Sequence, residues 1–241
     1  ISDLGIRTEN FLEIGLGHSH KINDKITVGG KMKFLLGIAY ADFSADNLHV
    51  QMQGDQWAIS GQPKLSAAIL KSEFTHENNN PSGKIDGIDD VTFGLPGFGL
   101  AFDLGATYKV LDDLTISAAI TDLGFIKWKD ALQAAPNRTS WTFNGFAEDV
   151  YAGGTNTGSN KIGDQFEQML PLYDQGKKNE TRALAATLNI GAEYTLPVYR
   201  PLRFGFLYTS RFAGKYSYHQ GMLSANIRPV KWFEFALNGA V

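Results

Sequence analysis

An alternation of apolar and polar residues that lasts fifteen positions constrains this chain more than any other feature of its sequence. Between residues 26 and 40 the odd positions carry small or polar residues, with Leu35 as the one exception. The even positions carry Ile26, Val28, Gly30, Met32, Phe34, Leu36, Ile38 and Tyr40. Successive side chains of a strand point to opposite faces, and a strand needs about 9–11 residues to cross a bilayer. The stretch therefore predicts a transmembrane β-strand with one apolar face.

Four other segments follow the same rule. They lie at 12–17, 98–109, 183–194 and 202–211, and Leu207 is out of phase in the last of them. One alternating segment is a weak signal, because soluble sandwiches contain such strands too. Five segments with one rule predict an all-β fold, an antiparallel transmembrane β-barrel.

The connections between these segments differ in length. Residues 17–28 and 105–116 are near copies, and each predicts a hairpin with a three-residue loop if Ile22 faces Ile26 and Val110 faces Leu114. Tight turns are also predicted near residues 197–201 and 228–230. The connections at 42–64, 75–97 and 123–181 are long. Outer-membrane barrels have short turns in the periplasm and long loops outside the cell.

Composition narrows the class of protein. The net charge of −3 is not typical of a protein that binds nucleic acid. The absence of cysteine excludes disulfides and thiolate sites. No apolar run reaches the 18 residues that predict a transmembrane helix. We expect residues 1–241 to form one outer-membrane barrel domain, incomplete at both ends. About ten strands are countable, so the parent barrel is predicted to have roughly 12–16.

Parts of the sequence resemble known barrels. Residues 11–37 and 232–239 are similar to a Bacteroidota outer-membrane barrel family that is classed only as a domain of unknown function. Residues 191–195 and 202–208 more distantly resemble strands of the long-chain fatty-acid transporter barrels. The resemblance covers strands and none of the long loops. It implies an outer-membrane barrel and brings no substrate and no functional residues.

Charged residues on the polar, lumen-facing parity are the main functional candidates. Glu13 is expected opposite or diagonal to Lys33, and Glu193 opposite Arg203. Two interpretations stay open: these charges select solutes in a water-filled pore, or they pair across strands and close the lumen. The full set is Glu13, Lys31, Lys33, Asp103, Lys109, Glu193, Arg203, Arg211 and Glu234.

The sequence offers weaker evidence for metal sites and for catalytic residues. His18 and His20 have a spacing that can chelate a metal, but their position near a turn favours the membrane interface. The loop 78–90 has oxygen ligands without the EF-hand spacing, which favours a solvated loop. No catalytic motif occurs, so we predict no catalytic residue, no cofactor, no metal and no enzymatic activity.

The long connection 123–181 contains one helical pattern. Ile162, Phe166, Met169 and Leu170 recur at helical spacing, which predicts an amphipathic lid helix near 160–170. Such a helix covers the barrel mouth, docks on a partner or only packs the loop. Trp128 and Trp141 in this connection, with Trp57 and Trp232 near other strand ends, are typical of interfacial aromatic belts.

These observations predict a non-enzymatic barrel of the Gram-negative cell outer membrane, porin-like, that passes small solutes, hydrophobic ones included. The alternative is a non-transporting structural barrel within a larger outer-membrane or secretion complex. Expected partners are outer-membrane lipid and other outer-membrane or surface proteins, and not nucleic acid. A lipid-modifying enzyme and a soluble lipocalin-like binder remain further alternatives. On this face assignment, Phe34→Arg is predicted to cost about 2–4 kcal/mol and Lys33→Glu much less.

Overall fold

The chain folds into thirteen β-strands in a computed structural model that describes residues 4–53, 56–92, 94–144 and 170–241. No α-helix occurs in those ranges, and no helix there has the length and apolar character needed to cross a membrane. The pairings between neighbouring described strands are antiparallel, which confirms the predicted all-β antiparallel class. The strands are β1 (Leu4–Lys21), β2 (Ile26–Gln53), β3 (Gln56–Ile69), β4 (Lys71–His76), β5 (Ile85–Thr92), β6 (Gly97–Leu111), β7 (Leu114–Ala135), β8 (Ser140–Phe143), β9 (Tyr173–Ala183), β10 (Ala186–Thr195), β11 (Leu202–Phe212), β12 (Tyr218–Val230) and β13 (Phe233–Ala240).

The chain is divided into two compact units. Unit 1 comprises Ile1–Leu12, Leu36–Phe98 and Lys127–Glu180, and unit 2 comprises Glu13–Leu35, Gly99–Ile126 and Thr181–Val241. In unit 2 the strand order is β13-β12-β11-β10-β7-β6-β2, and β1 pairs with β2. In unit 1, β3 pairs with β2, β7 and β8, β9 pairs with β7, and β4 and β5 form a separate hairpin.

The first predicted hairpin is confirmed. The Ile22 amide donates to the Ile26 carbonyl at 2.9 Å, which leaves a three-residue loop. The Asn23 side-chain oxygen accepts hydrogen bonds from the amides of Lys25 and Ile26, both at 2.8 Å, so the loop is an Asx turn.

The other predicted turns differ in detail. The second hairpin turns at 112–113, because β6 continues through Leu111. The turn near residues 197–201 lies between β10 and β11 as predicted. The strand β12 continues through Pro229 to Val230, so the last turn lies at 231–232 and not at 228–230.

The alternation produces the expected two faces in unit 2. Phe34 is 39% exposed and Phe102 is 44% exposed, whereas Leu35 and Ala101 are fully buried. Cross-strand pairs keep apolar residues on one side, as Phe206 opposite both Ala192 and Leu223 illustrates. We call the side with Phe34 and Phe102 the apolar face of unit 2, and the side with Lys33 the polar face.

Tyr40 and Trp128, both in unit 1, do not lie where the sequence pattern placed them. Each is only 1% exposed, and their ring centroids are 4.8 Å apart. The Tyr40 hydroxyl lies 2.6 Å from the Ser66 hydroxyl and donates to Glu180 at 3.0 Å. Tyr40 was predicted on the apolar face and Trp128 at a membrane interface, and both predictions were wrong. Tyr40 is buried with two polar partners, and Trp128 is buried against the Tyr40 ring.

A single residue inverts the alternation of β7. Asp122 has a φ of +58°, in the left-handed region that few residues other than Gly, Asn and Asp adopt. Before Asp122, exposed large apolar residues lie at even positions, as Ile116 does. After Asp122 they lie at odd positions, as Leu123 and Phe125 do. The left-handed residue acts as a bulge, and one extra residue moves the side chains that follow it, up to the second left-handed residue at Asp130, to the other face.

Strands extend into the predicted long connections. β2 and β3 extend into 42–64, and β7, β8 and β9 extend into 123–181, of which residues 145–169 lie outside the described residues. These extensions form because they bury apolar residues in unit 1, around Phe143 in one cluster and Phe74 in another. Of the predicted lid helix, Ile162, Phe166 and Met169 lie outside the described residues, and Leu170 lies in a bend.

Gly124 provides a test of the β6–β7 contact in unit 2. A Cβ on Gly124 would lie 2.1 Å from the Leu100 carbonyl oxygen and 2.5 Å from the Ala101 Cα. Both are backbone atoms, so no side-chain rotation can relieve the clash. We expect Gly124→Ala to lower the free energy of unfolding in urea by about 1–3 kcal/mol, as overpacking does. The matched control is Gly239→Ala, because no heavy atom lies within 4 Å of that Cβ position. Equal losses in the two variants would contradict the close approach.

Candidate functional site on the polar face of unit 2

The Lys33 ammonium group is the centre of a charge cluster. It lies 2.6 Å from Asp122 Oδ1, 2.8 Å from Asp103 Oδ2 and 3.6 Å from Glu13 Oε2. The three carboxylates come from three strands, β7, β6 and β1, and Lys33 itself is 6% exposed. A lysine this buried requires such partners, since an isolated buried charge is costly.

Lys31 completes the cluster from the same strand. Its ammonium group donates to Glu13 Oε1, so Glu13 contacts both lysines. The Lys31 side chain crosses over Gly15, where a Cβ would lie 2.1 Å from Lys31 Cε. Gly15 thus provides the space that lets Lys31 reach Glu13. Two lysines and three carboxylates leave the charge cluster with one net negative charge.

Sequence reasoning missed Asp122, whose parity placed it with the apolar residues. The bulge brings its carboxylate to Lys33, and its amide donates to Asp103 Oδ1 at 2.8 Å. The signal in the sequence was the change of phase between Ile116 and Ile120 on one side and Leu123 and Phe125 on the other. A shift in phase around an aspartate predicts a bulge, because aspartate tolerates the left-handed conformation.

A cavity of about 430 Å³ adjoins the charge cluster. Residues of β1, β2, β6 and β7 line it, with Lys31 and Asp103 among them. Small residues such as Gly29, Gly105 and Ala119 leave the space open. Five lining residues carry hydroxyls: Ser19, Thr27, Thr107, Ser117 and Thr121. Little of the exposed cavity wall is polar, however, and these lining residues contain no catalytic constellation.

The remaining predicted charges do not join the charge cluster. Glu193 lies opposite Gly205, and Arg203 opposite Thr195, so the predicted position of Glu193 directly opposite Arg203 was wrong, although the two charges do pair across the strands. The two are diagonal, and Arg203 Nη1 lies 3.7 Å from Glu193 Oε1 with both side chains more than half exposed. The other three are exposed and form no ion pair within the described part of the chain: Lys109, Arg211 and Glu234.

His18, His20 and the loop 78–90 were the weaker candidates for a metal site. The rings of His18 and His20 are stacked, with centroids 6.3 Å apart, and both residues are exposed. The loop 78–90 contains the end of a short 3₁₀ turn and the start of β5. Within the ranges that the structure describes, no group of three His, Cys, Asp or Glu side chains is placed to hold a metal ion.

Comparisons with known proteins identify a family without an assigned activity. No curated protein and no solved structure matches the chain. The sequence profile described as "Family of unknown function (DUF5723)" matches residues 1–241, the whole length of the sequence. The chain therefore belongs to the family of unknown function DUF5723.

Proposed function

We propose that the protein is a β-barrel of the Gram-negative outer membrane that passes small solutes, hydrophobic ones included. The observation that carries this proposal is the continuous apolar face of unit 2. Large apolar residues are exposed there on eight neighbouring strands. They include Ile14 and Leu16 of β1, Met32 and Phe34 of β2, Phe102 and Leu104 of β6, Ile116 of β7, Ile190 of β10, Phe204 and Phe206 of β11, Leu223 of β12, and Phe235 and Leu237 of β13.

Such a face needs an apolar environment. Soluble monomers rarely expose contiguous apolar patches larger than about a few hundred Å². Lipid tails satisfy this face, and antiparallel ladders satisfy the backbone of the strands between the edge strands β1 and β13. Strands that cross a bilayer need their backbone groups satisfied in this way. The sequence resemblance to Bacteroidota barrels and to fatty-acid transporters points the same way. Outer-membrane lipid is accordingly the first proposed partner.

The cavity on the polar face supports passage of solutes. Glycine, alanine, serine and threonine occupy positions where large residues would fill the space. Small inward residues leave room for water and solutes in membrane barrels, and charged residues beside that room influence which solutes enter.

A structural role is the second candidate, and the ion pairs of Lys33 favour it. Charges that neutralise each other across strands can line a pore, but they can equally hold the lumen closed. In that case the protein is a non-transporting subunit of a larger outer-membrane or secretion complex, with other surface proteins as partners.

The test begins with the full-length protein. We expect it in the outer-membrane fraction, and we expect its electrophoretic mobility in detergent to change on boiling, as folded barrels behave. A soluble protein without a heat-dependent shift would overturn the barrel proposal and favour a lipocalin-like binder. Uptake into liposomes then separates the two candidates, because a transporter admits solutes above the level of empty liposomes. A structural subunit admits none and co-purifies with partner proteins.

A further inference from the structure

We infer that the cavity on the polar face of unit 2 binds small apolar solutes, and that the charge cluster beside it favours solutes with a cationic end over solutes with an anionic end. The inference rests on the proposed transport function and names the solute class for it. The volume of the cavity, about 430 Å³, falls within the range of roughly 300–1,000 Å³ that is usual for small-molecule sites.

The wall of the cavity selects an apolar body. Although five lining residues carry hydroxyls, most of the wall that a solute touches is apolar. Val28, Leu104 and Ala119 contribute to it from three strands, β2, β6 and β7. An apolar ring gains free energy when such a wall removes it from water. A sugar would exchange its hydrogen bonds to water for a wall that offers few in return.

The charge next to the cavity is negative. The Lys31 ammonium group donates to Glu13, and these two residues together are neutral. The Lys33 ammonium group lies 2.8 Å from Asp103 and 2.6 Å from Asp122. One lysine with two aspartates leaves one net negative charge, so the excess charge of the cluster lies on the side of the aspartates.

Both aspartates adjoin the cavity. Asp103 lines it, and Asp122 directly follows Thr121, which lines it as well. The Asp122 side chain is 41% exposed, the most of the three carboxylates in the charge cluster. A cation at this end of the cavity is therefore attracted by a carboxylate charge that Lys33 does not neutralise, whereas an anion is repelled.

The test measures binding of three solutes to the full-length protein in phosphatidylcholine liposomes by equilibrium dialysis, with empty liposomes as background. Phenyltrimethylammonium is a permanent cation with an apolar ring. Benzenesulfonate is a permanent anion with the same ring, and tetramethylammonium is the same kind of cation without the ring. We expect phenyltrimethylammonium to bind at least about tenfold more tightly than benzenesulfonate, because the net charge acts on them with opposite sign. We also expect it to bind at least about tenfold more tightly than tetramethylammonium, because the cavity wall covers the ring.

Asp122→Asn removes the net charge of the cluster. Asparagine keeps an oxygen that accepts from Lys33, and it tolerates the left-handed backbone of the bulge. We expect the preference for phenyltrimethylammonium over benzenesulfonate to fall below about threefold in this variant. Asp24→Asn is the matched control, since Asp24 is paired with Lys21 at 2.7 Å in the exposed β1–β2 turn, and it should keep the preference. The shift on boiling checks that each variant folds.

Ala119→Leu tests the location of the site. Ala119 lines the cavity and does not belong to the charge cluster. We expect the affinity for phenyltrimethylammonium to fall at least about tenfold, because the longer side chain occupies the space that the ring needs. Unchanged affinity in folded Ala119→Leu would overturn the assignment of the site to this cavity.

The remaining outcomes separate the inference from the transport proposal. Equal binding of phenyltrimethylammonium and benzenesulfonate, or an unchanged preference in folded Asp122→Asn, would overturn the role of the charge cluster. Equal binding of phenyltrimethylammonium and tetramethylammonium would overturn the apolar site. If these solutes enter the liposomes without any preference in binding, the inference fails and the transport proposal stands. If the expected preference in binding is found without entry above the level of empty liposomes, the site stands and the transport proposal fails.

Discussion

Lys33→Glu is expected to lower the free energy of unfolding by about 3–5 kcal/mol, the usual cost of removing one partner from a buried ion pair. The variant would place a fourth carboxylate among Glu13, Asp103 and Asp122, in a position that is 6% exposed in the native protein. Urea unfolding of the full-length protein in liposomes measures this loss. The sequence alone predicted a mild effect, and the ion pairs of Lys33 reverse that expectation.

Lys109→Glu is the control for this variant. Lys109 belongs to β6 and shares the predicted lumen-facing parity, but it is exposed and forms no ion pair with the described residues. Its charge reversal should change stability by no more than about 0.5 kcal/mol, as at most surface positions. The double variant Lys33→Glu with Glu13→Lys should recover part of the loss, because it restores a cation to the charge cluster. Similar losses for Lys33→Glu and Lys109→Glu would contradict the structural importance of the charge cluster.

Phe34→Arg is expected to lower stability in a bilayer by about 2–4 kcal/mol, the cost measured for arginine at the lipid-facing midplane of a barrel. Phe34 is the neighbour of Lys33 in β2 and lies on the apolar face, 39% exposed. On the proposed function this side chain contacts lipid tails, which cannot hydrate a guanidinium group. The measurement is urea unfolding in liposomes.

Val50→Arg is the matched control for Phe34→Arg. Val50 belongs to the same strand and is 38% exposed, nearly the same as Phe34. Val50 belongs to unit 1 and is not part of the apolar face of unit 2. The control should lose less than about 1 kcal/mol. Equal tolerance of arginine at both positions would contradict the assignment of the apolar face to lipid.

Much of the site followed from a local rule. Alternation placed Lys33 and Asp103 on one face of neighbouring strands and Phe34 on the other, and the copied hairpin motif predicted the Ile22–Ile26 turn. The predicted proximity of Glu13 and Lys33 is also confirmed, at 3.6 Å. Such features are readable because the side-chain period of a strand and the geometry of a tight turn depend on residues close in sequence.

The bulge at Asp122 could not be predicted from the alternation of residues. A residue adopts positive φ when the hydrogen bonds of its side chain and amide offset the strain. For Asp122 both hydrogen bonds come from distant strands: the carboxylate accepts from Lys33 on β2, and the amide donates to Asp103 on β6. The same holds for Tyr40, whose buried hydroxyl donates a hydrogen bond to Glu180, 140 positions away in the sequence.

The amino-acid pattern thus established the all-β class, the two faces of the strands and most members of the charge cluster, since all three rest on short-range periodicity. The assembled strands settled which charges are neutralised, where β7 inverts and how far the strands extend into the predicted loops. These features rest on contacts between residues far apart in the chain, whose favourable energy exists only after the strands have come together.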